Sequence, residues 1–165
     1  MTDLKDRTKT ADHQLIHQRD GETLVIEPWG KDGLRVRVTM APKISDTPWA
    51  LVEPVDAQAT ITISEDEAHI RNGKISARIH DIRTQKGRVQ FFRHDTANEK
   101  TAILSEQDYV VHAHNPGTRI FKSSRDDLYH TELHLAPRNG ERLYGMGLND
   151  TGTVNLKGCV IDLYQ

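Results

Sequence analysis

The sequence predicts an all-β fold, a two-layer antiparallel β-sandwich, on three observations. Apolar residues recur with a period of two in several short segments. Asn-Gly pairs, Asn72-Gly73 and Asn139-Gly140, sit between such segments. No convincing long helix can be found. Many short strands separated by turn signals argue for a sandwich or a barrel. Strands with one buried face suit two sheets packed about 10 Å apart.

The elements follow in chain order. Met1 to Asp12 is polar and reads as a flexible tail, leaving residues 13–165 as one β-sandwich domain. Leu34, Val36, Val38 and Met40 alternate with Arg35, Arg37 and Thr39, the pattern of a strand with one buried face. Asp46 to Asp56 carries Pro48 and Pro54 and reads as an irregular connection. Ala59, Ile61 and Ile63 alternate with Thr60 and Thr62. His69–Arg71 and Lys74–Ile79 flank the first Asn-Gly pair and read as a hairpin, because Asn-Gly accepts the positive φ of a tight turn. Asn115-Pro116-Gly117 is a turn and Ser123 to Asp127 a polar loop. Tyr129–Ala136 and Glu141–Met146 flank the second Asn-Gly pair and read as a second hairpin.

Composition excludes several function classes. The chain has 165 residues, enough for one domain with a real core. Charged residues make up 28%, net charge is −2, and Lys and Arg are scattered rather than clustered, so no nucleic-acid partner is expected. No apolar run approaches the roughly 20 residues that span a bilayer, so no membrane role is expected. The N-terminus lacks the apolar core of a secretory signal, and a cytoplasmic location is expected. The one cysteine, Cys159, excludes an internal disulfide and reads as a small buried hydrophobe among apolar neighbours.

Two histidine clusters invite a metal reading. His112 and His114 share one face of an expected strand, but no carboxylate follows to complete a ligand set, and two polar-face histidines are the simpler reading. His130, Glu132 and His134 also share a strand face. Neighbouring same-face side chains on a strand lie about 7 Å apart, which opposes convergence on one ion. A solvated face, or a polar surface that docks another domain, is the simpler reading. No metal and no cofactor are expected. Asp126-Asp127 and Glu65-Asp66-Glu67 read as loop and turn charges.

The run Glu141-Arg142-Leu143-Tyr144-Gly145-Met146-Gly147, followed by Asn155-Leu156-Lys157-Gly158-Cys159, resembles the end of the N-terminal domain of glycoside hydrolase family 31, the α-glucosidases and α-xylosidases. Gly33 to Val38, Ile70 to Ile75, Gly87 to Phe92 and Ile103 to Glu106 resemble earlier strands of that domain in the same order. The similarity runs from about Asp20 to Gln165. It implies a galactose-mutarotase-like sandwich packed against a (β/α)8 catalytic barrel. Met146 and the Asn-Leu-Lys-Gly-Cys run look more like the α-xylosidase branch.

The family's nucleophile is an Asp in a Trp-x-Asp-Met segment of the barrel, with a second Asp as acid/base. Neither segment occurs here. A retaining glycosidase needs two carboxyl groups about 5 Å apart. The resemblance therefore implies a non-catalytic domain of a retaining α-glycosidase, inactive in isolation and separated from its barrel. Its role would be to brace the barrel and shape the pocket entrance for an α-linked xyloside or glucoside. Asn149, Asp150 and Gln165 are the candidates to face the pocket mouth, and a solvated turn at Asn149 to Gly152 is the plainer alternative. An exposed barrel-docking face would promote self-association.

Two other functions fit the same fold. A stand-alone carbohydrate-binding module needs exposed aromatics to stack on sugars. Aromatics are only 5% of the chain, and Trp29 and Trp49 read as packing residues. Sugar epimerisation uses a Glu and paired histidines, but their sequence context finds no match, and a shared fold does not carry function.

Overall fold

A computed structural model describes residues 8–45, 47, 51–52, 57–82, 87–94, 100–108, 117–125, 128–145 and 152–160. All regular elements among them are strands: β1 (Thr8–Ala11), β2 (Gln14–Arg19), β3 (Glu22–Pro28), β4 (Leu34–Thr39), β5 (Thr60–Ile63), β6 (Glu67–Asn72), β7 (Ile75–His80), β8 (Arg88–His94), β9 (Lys100–Ser105), β10 (Arg119–Ser123) and β11 (Tyr129–Leu133). They form an antiparallel sheet β1-β2-β3-β4, an antiparallel sheet β5-β6-β7-β8-β9 and a two-stranded ribbon β10-β11. The chain divides into two compact units, Met1–Leu135 and Ala136–Gln165.

The first sheet is a meander closed by tight turns. Asp12-His13 and Asp20-Gly21 take positive φ at both central positions, as two-residue type I′ loops require. Part of the expected N-terminal tail is thus a strand. Residues Thr8 to Ala11 pair with β2, and buried Thr8 shares a 2.8 Å hydrogen bond with His17 Nδ1. Backbone pairing orders this segment, whose composition offers little to bury.

The second sheet contains the predicted hairpin at Asn72-Gly73, with a shift of one residue in the turn. Asn72 pairs with Ile75 as the last residue of β6, so the loop residues are Gly73 and Lys74. Gly73 alone of these two has positive φ, the pattern of a type II′ loop. The side chain of Asn72 is thereby released for another task.

The core lies between the two sheets. Leu15, Leu24 and Ile26 from the first sheet meet Ala68, Ile70, Ala77, Ile79 and Val89 from the second, and Leu34, Val38, Ile61 and Phe91 pack at its margin. β3 lies opposite β6, and β4 opposite β7. Leu34 and Val38 point inward as their alternation predicts, while Val36 remains 38% exposed on the edge strand. The other face of that sheet is covered by its own side chains. Glu27 accepts from Gln14 at 2.7 Å and from Arg37 at 3.2 Å, and Arg35 approaches it at 3.5 Å.

The second predicted hairpin does not form. β11 pairs with the preceding strand β10, with Phe121 opposite Thr131 and Ser123 opposite Tyr129. Residues 139–140 do turn, and Gly140 has positive φ, but residues 141–145 are irregular. Pro137 has no N–H to donate, so the ladder cannot run up to that turn. Within the C-terminal unit, Leu156 N donates to Leu143 O at 2.8 Å and Lys157 Nζ donates to Arg138 O at 2.6 Å. Cys159 is exposed there, contrary to the expectation of burial. Its backbone N–H closes a turn on Leu156 O at 3.0 Å, and that irregular chain presents the thiol outward.

Candidate functional site

The most constrained polar cluster centres on Arg119, which is 3% exposed at the start of β10. Its Nε donates to Glu22 Oε1 at 3.0 Å, its Nη2 donates to Gly87 O at 2.7 Å, and its Nη1 donates to Glu106. Glu106 Oε2 also accepts from Val89 N at 2.8 Å. Burial would lower the Arg119 pKa, but the charges of Glu106 and Glu22 outweigh it and raise it above the ordinary value. One guanidinium thus joins the ribbon to β3, to the entry of β8 and to the residue after β9. Gly87 makes the approach feasible. A Cβ there would lie 2.7 Å from Ile79 Cγ2 and 3.2 Å from the His17 ring.

Two carboxylates meet at this centre, but both are buried and both are engaged by the same cation. Such a pair stabilises Arg119, and neither member faces a substrate as a free acid. A second pair, Asp81 and Asp108, flanks Arg88. Asp81 accepts from Arg88 Nε at 2.9 Å and contacts His80 Nδ1 at 2.9 Å, and Asp108 lies 3.7 Å from Arg88. The hydrogen bond from Arg88, reinforced by the charges of Arg88 and His80, holds the Asp81 carboxyl below its usual range. On the outer face of the second sheet, Glu67 contacts His69 Nε2 at 2.9 Å and Arg78 at 3.4 Å. Arg78 also donates to Gln90 and lies 5.5 Å over the Phe92 ring.

His130, Glu132 and His134 do converge, despite their spacing along the strand. Both imidazole Nε2 atoms lie 3.4 Å from the Glu132 carboxylate, and Lys122 Nζ lies 2.5 Å from it. The set is a polar network on the ribbon, built around the ion pair of Lys122 with Glu132. The hydrogen bond from Lys122 is the main cause that lowers the Glu132 pKa. Among the described residues no group of three or more His, Cys, Asp or Glu side chains is arranged to hold a metal ion. His112 and His114 lie outside the described residues, as do the pocket-mouth candidates Asn149, Asp150 and Gln165, the acidic pair Asp126-Asp127 and Trp49. Trp29 packs in the β3–β4 turn, with the Arg35 guanidinium 4.5 Å over its ring. A polar cavity of about 420 Å³ opens at the β2–β3 turn, lined by Gln18, Arg19, Asp20, Thr23 and Met40 among others.

The Arg119 centre is not visible in any local pattern, because Arg119 and Glu22 stand 97 residues apart. The sequence traces are Gly87 and Glu106, which stand at the head and at the end of two segments singled out by resemblance.

Residues 23–165 match the glycosyl hydrolase 31 N-terminal galactose mutarotase-like domain. An uncharacterized family 31 glucosidase of Pseudescherichia vulneris is 33% identical over 161 residues, a match that covers 87% of this chain and 29% of that protein. The crystal structure of a family 31 α-xylosidase from a soil metagenome, complexed with xylose, superposes with a TM-score of 0.75 at 26% identity, over 92% of this chain and 24% of that one. A xylosidase from Aspergillus niger shares the fold, with a TM-score of 0.66 at 21% identity, over 89% of this chain and 22% of that one. The chain therefore spans less than a third of the length of each of these relatives.

Proposed function

The chain belongs to glycoside hydrolase family 31, as its N-terminal galactose mutarotase-like domain, and from that premise we propose that it serves as the non-catalytic sandwich of a retaining α-glycosidase. It braces a catalytic barrel and shapes the entrance to the substrate pocket. The observation that carries this reading is a family match across residues 23–165 in a chain that spans 29% and 24% of its relatives. The chemistry agrees with it. Glu22 and Glu106 hold Arg119, and Asp81 and Asp108 flank Arg88, so these pairs serve structural cations.

An α-xyloside is the favoured substrate class of the complete enzyme. Support comes from the Tyr144-Gly145-Met146-Gly147 motif and the likeness to an α-xylosidase at 26% identity. An α-glucoside is the second reading, supported by the glucosidase relative at 33%. Asn149, Asp150 and Gln165 are proposed to approach the pocket mouth, and the enzyme is proposed to be cytoplasmic. A stand-alone sugar-binding module is the alternative, and the low aromatic content, 5% of the chain, counts against it.

An antibody raised to this chain tests the reading on native cell extract. The expected result is a band far above 18.7 kDa, in a fraction that hydrolyses aryl α-xylosides faster than aryl α-glucosides. The purified chain should hydrolyse neither. A native product of 18.7 kDa would overturn the proposal.

A further inference from the structure

The β10–β11 ribbon has two unlike faces. On one, Lys122, His130 and His134 gather around Glu132, so its charges are mutually satisfied. On the other, Tyr129 and Leu133 alternate with those residues and stand 49% and 56% exposed. Leu128 before the strand is 65% exposed, and Leu135 after it is 43% exposed. Among the described residues, the other strands expose only Val36 and Ile63 as large apolar side chains to a comparable degree, at 38% and 40%. Outside the strands Leu51, Val52, Leu143, Tyr144, Val154 and Val160 are exposed as well, so the ribbon is distinguished by alignment rather than by number: Tyr129, Leu133 and Leu135 fall on one face of one extended segment.

We propose that the Tyr129–Leu133–Leu135 face of the ribbon is the surface on which this domain seats the catalytic domain of its own enzyme. The inference rests on the function proposed above and adds the location of the contact. Its size suits that partner. Three side chains, each burying at most about 250 Å² and already partly covered, fall short of the ~800 Å² per partner of a stable complex between separate proteins. They suit the ~600–1,500 Å² total of an interface between domains of one chain. The ribbon is also rigidly mounted, since Arg119 at its base bonds to Glu22, Glu106 and Gly87. A docking element needs such a mount to hold its partner in a fixed orientation.

Hydroxyl-radical footprinting, read by mass spectrometry, tests this on two samples: the purified 165-residue chain and the full native gene product. In the isolated chain, Tyr129 and Leu133 should oxidise severalfold faster than buried Phe92. In the longer product they should fall to the Phe92 rate, while exposed Val36 is unchanged. Tyr129 and Leu133 oxidising equally in both samples would overturn the location and leave the proposed function standing. A native product no longer than this chain would overturn the function and the inference together. Protection that appears in the isolated chain as its concentration rises, with a doubled mass by light scattering and none in the longer product, would reassign the face to a second copy and overturn the proposal. A Leu133→Asp variant of the longer product adds a second readout. Limited proteolysis should release the N-terminal portion severalfold faster than from wild type, and an unchanged rate would count against the face.

Discussion

The carboxamide of Asn72 donates to the carbonyl oxygen of Gly33 at 2.7 Å, and to that of Gly30 at the same distance. One side-chain amide therefore gathers the β3–β4 turn of one sheet onto the β6–β7 turn of the other. Asp32 completes the clamp by accepting from Lys74 N at 2.8 Å. Asn72 is 2% exposed, so its amide has little water to turn to in place of the two carbonyls. The type II′ placement of Gly73-Lys74 makes this feasible, because it leaves Asn72 in the strand with its side chain directed across the sandwich.

Asn72→Ala should destabilise the fold by about 1–3 kcal/mol, the net worth of the two hydrogen bonds that it removes. Asn72→Asp should be worse, since a carboxylate cannot donate to either carbonyl. Urea unfolding checks both, with the midpoint lowered and the slope unchanged. An Asp variant as stable as wild type would contradict this role.

Glycine is required at 73 by contact as well as by φ. A Cβ at residue 73 would lie 2.1 Å from Asp32 Oδ1 and 2.6 Å from Lys31 O. Gly73→Ala should therefore cost about 1–3 kcal/mol in overpacking, with strain from φ +56 added. Adding Asp32→Ala should recover only part of the loss, because the backbone clash with Lys31 persists. Thermal melting of the single and double variants decides the matter.

Arg119→Met should destabilise the chain by about 3–5 kcal/mol, because it strands two buried carboxylates. Replacing all three members at once, with Glu22→Leu and Glu106→Leu added, should restore part of the stability, since Glu106→Leu also removes the acceptor of Val89 N. Denaturant unfolding of the single and triple variants gives both numbers. If the triple variant is no better than Arg119→Met, the ion cluster is not the source of the loss.

Acid should weaken the contact between Asp81 and Arg88. The folded pKa of Asp81 lies below its unfolded value of 3.8, so the folded state favours the ionised form. The contribution is present above pH 3.8 and is lost as pH falls through the depressed folded value. Asp81→Asn should thus be less stable than wild type near neutrality, with the gap closing below pH 3.8. Asn tolerates the positive φ of 60° that Asp81 adopts, so backbone strain is not introduced. Stability curves of the two proteins between pH 2 and 7 test the sign.

Much of the sandwich was readable from the chain because its cues are local. Period-two patterning at Leu34 to Met40 and at Ala59 to Ile63, and the turn chemistry of Asn72-Gly73, act over a few residues and set β4, β5 and the β6–β7 hairpin. The family was readable for a related reason: the Glu141 to Gly147 motif and the strand segments before it keep their order along the chain, and the match over residues 23–165 agrees. The tertiary structure decided what depends on distant partners. It made Thr8 to Ala11 a strand, because pairing with β2 needs no apolar content. It paired β11 with β10 instead of the chain beyond Asn139-Gly140. It drew His130, Glu132 and His134 into one polar network with Lys122, and it left Cys159 exposed. It also brought Arg119 to Glu22 across 97 residues of sequence. No pattern within either segment encodes that meeting. Only the closed sandwich desolvates these groups together, and desolvation makes each charge demand the others.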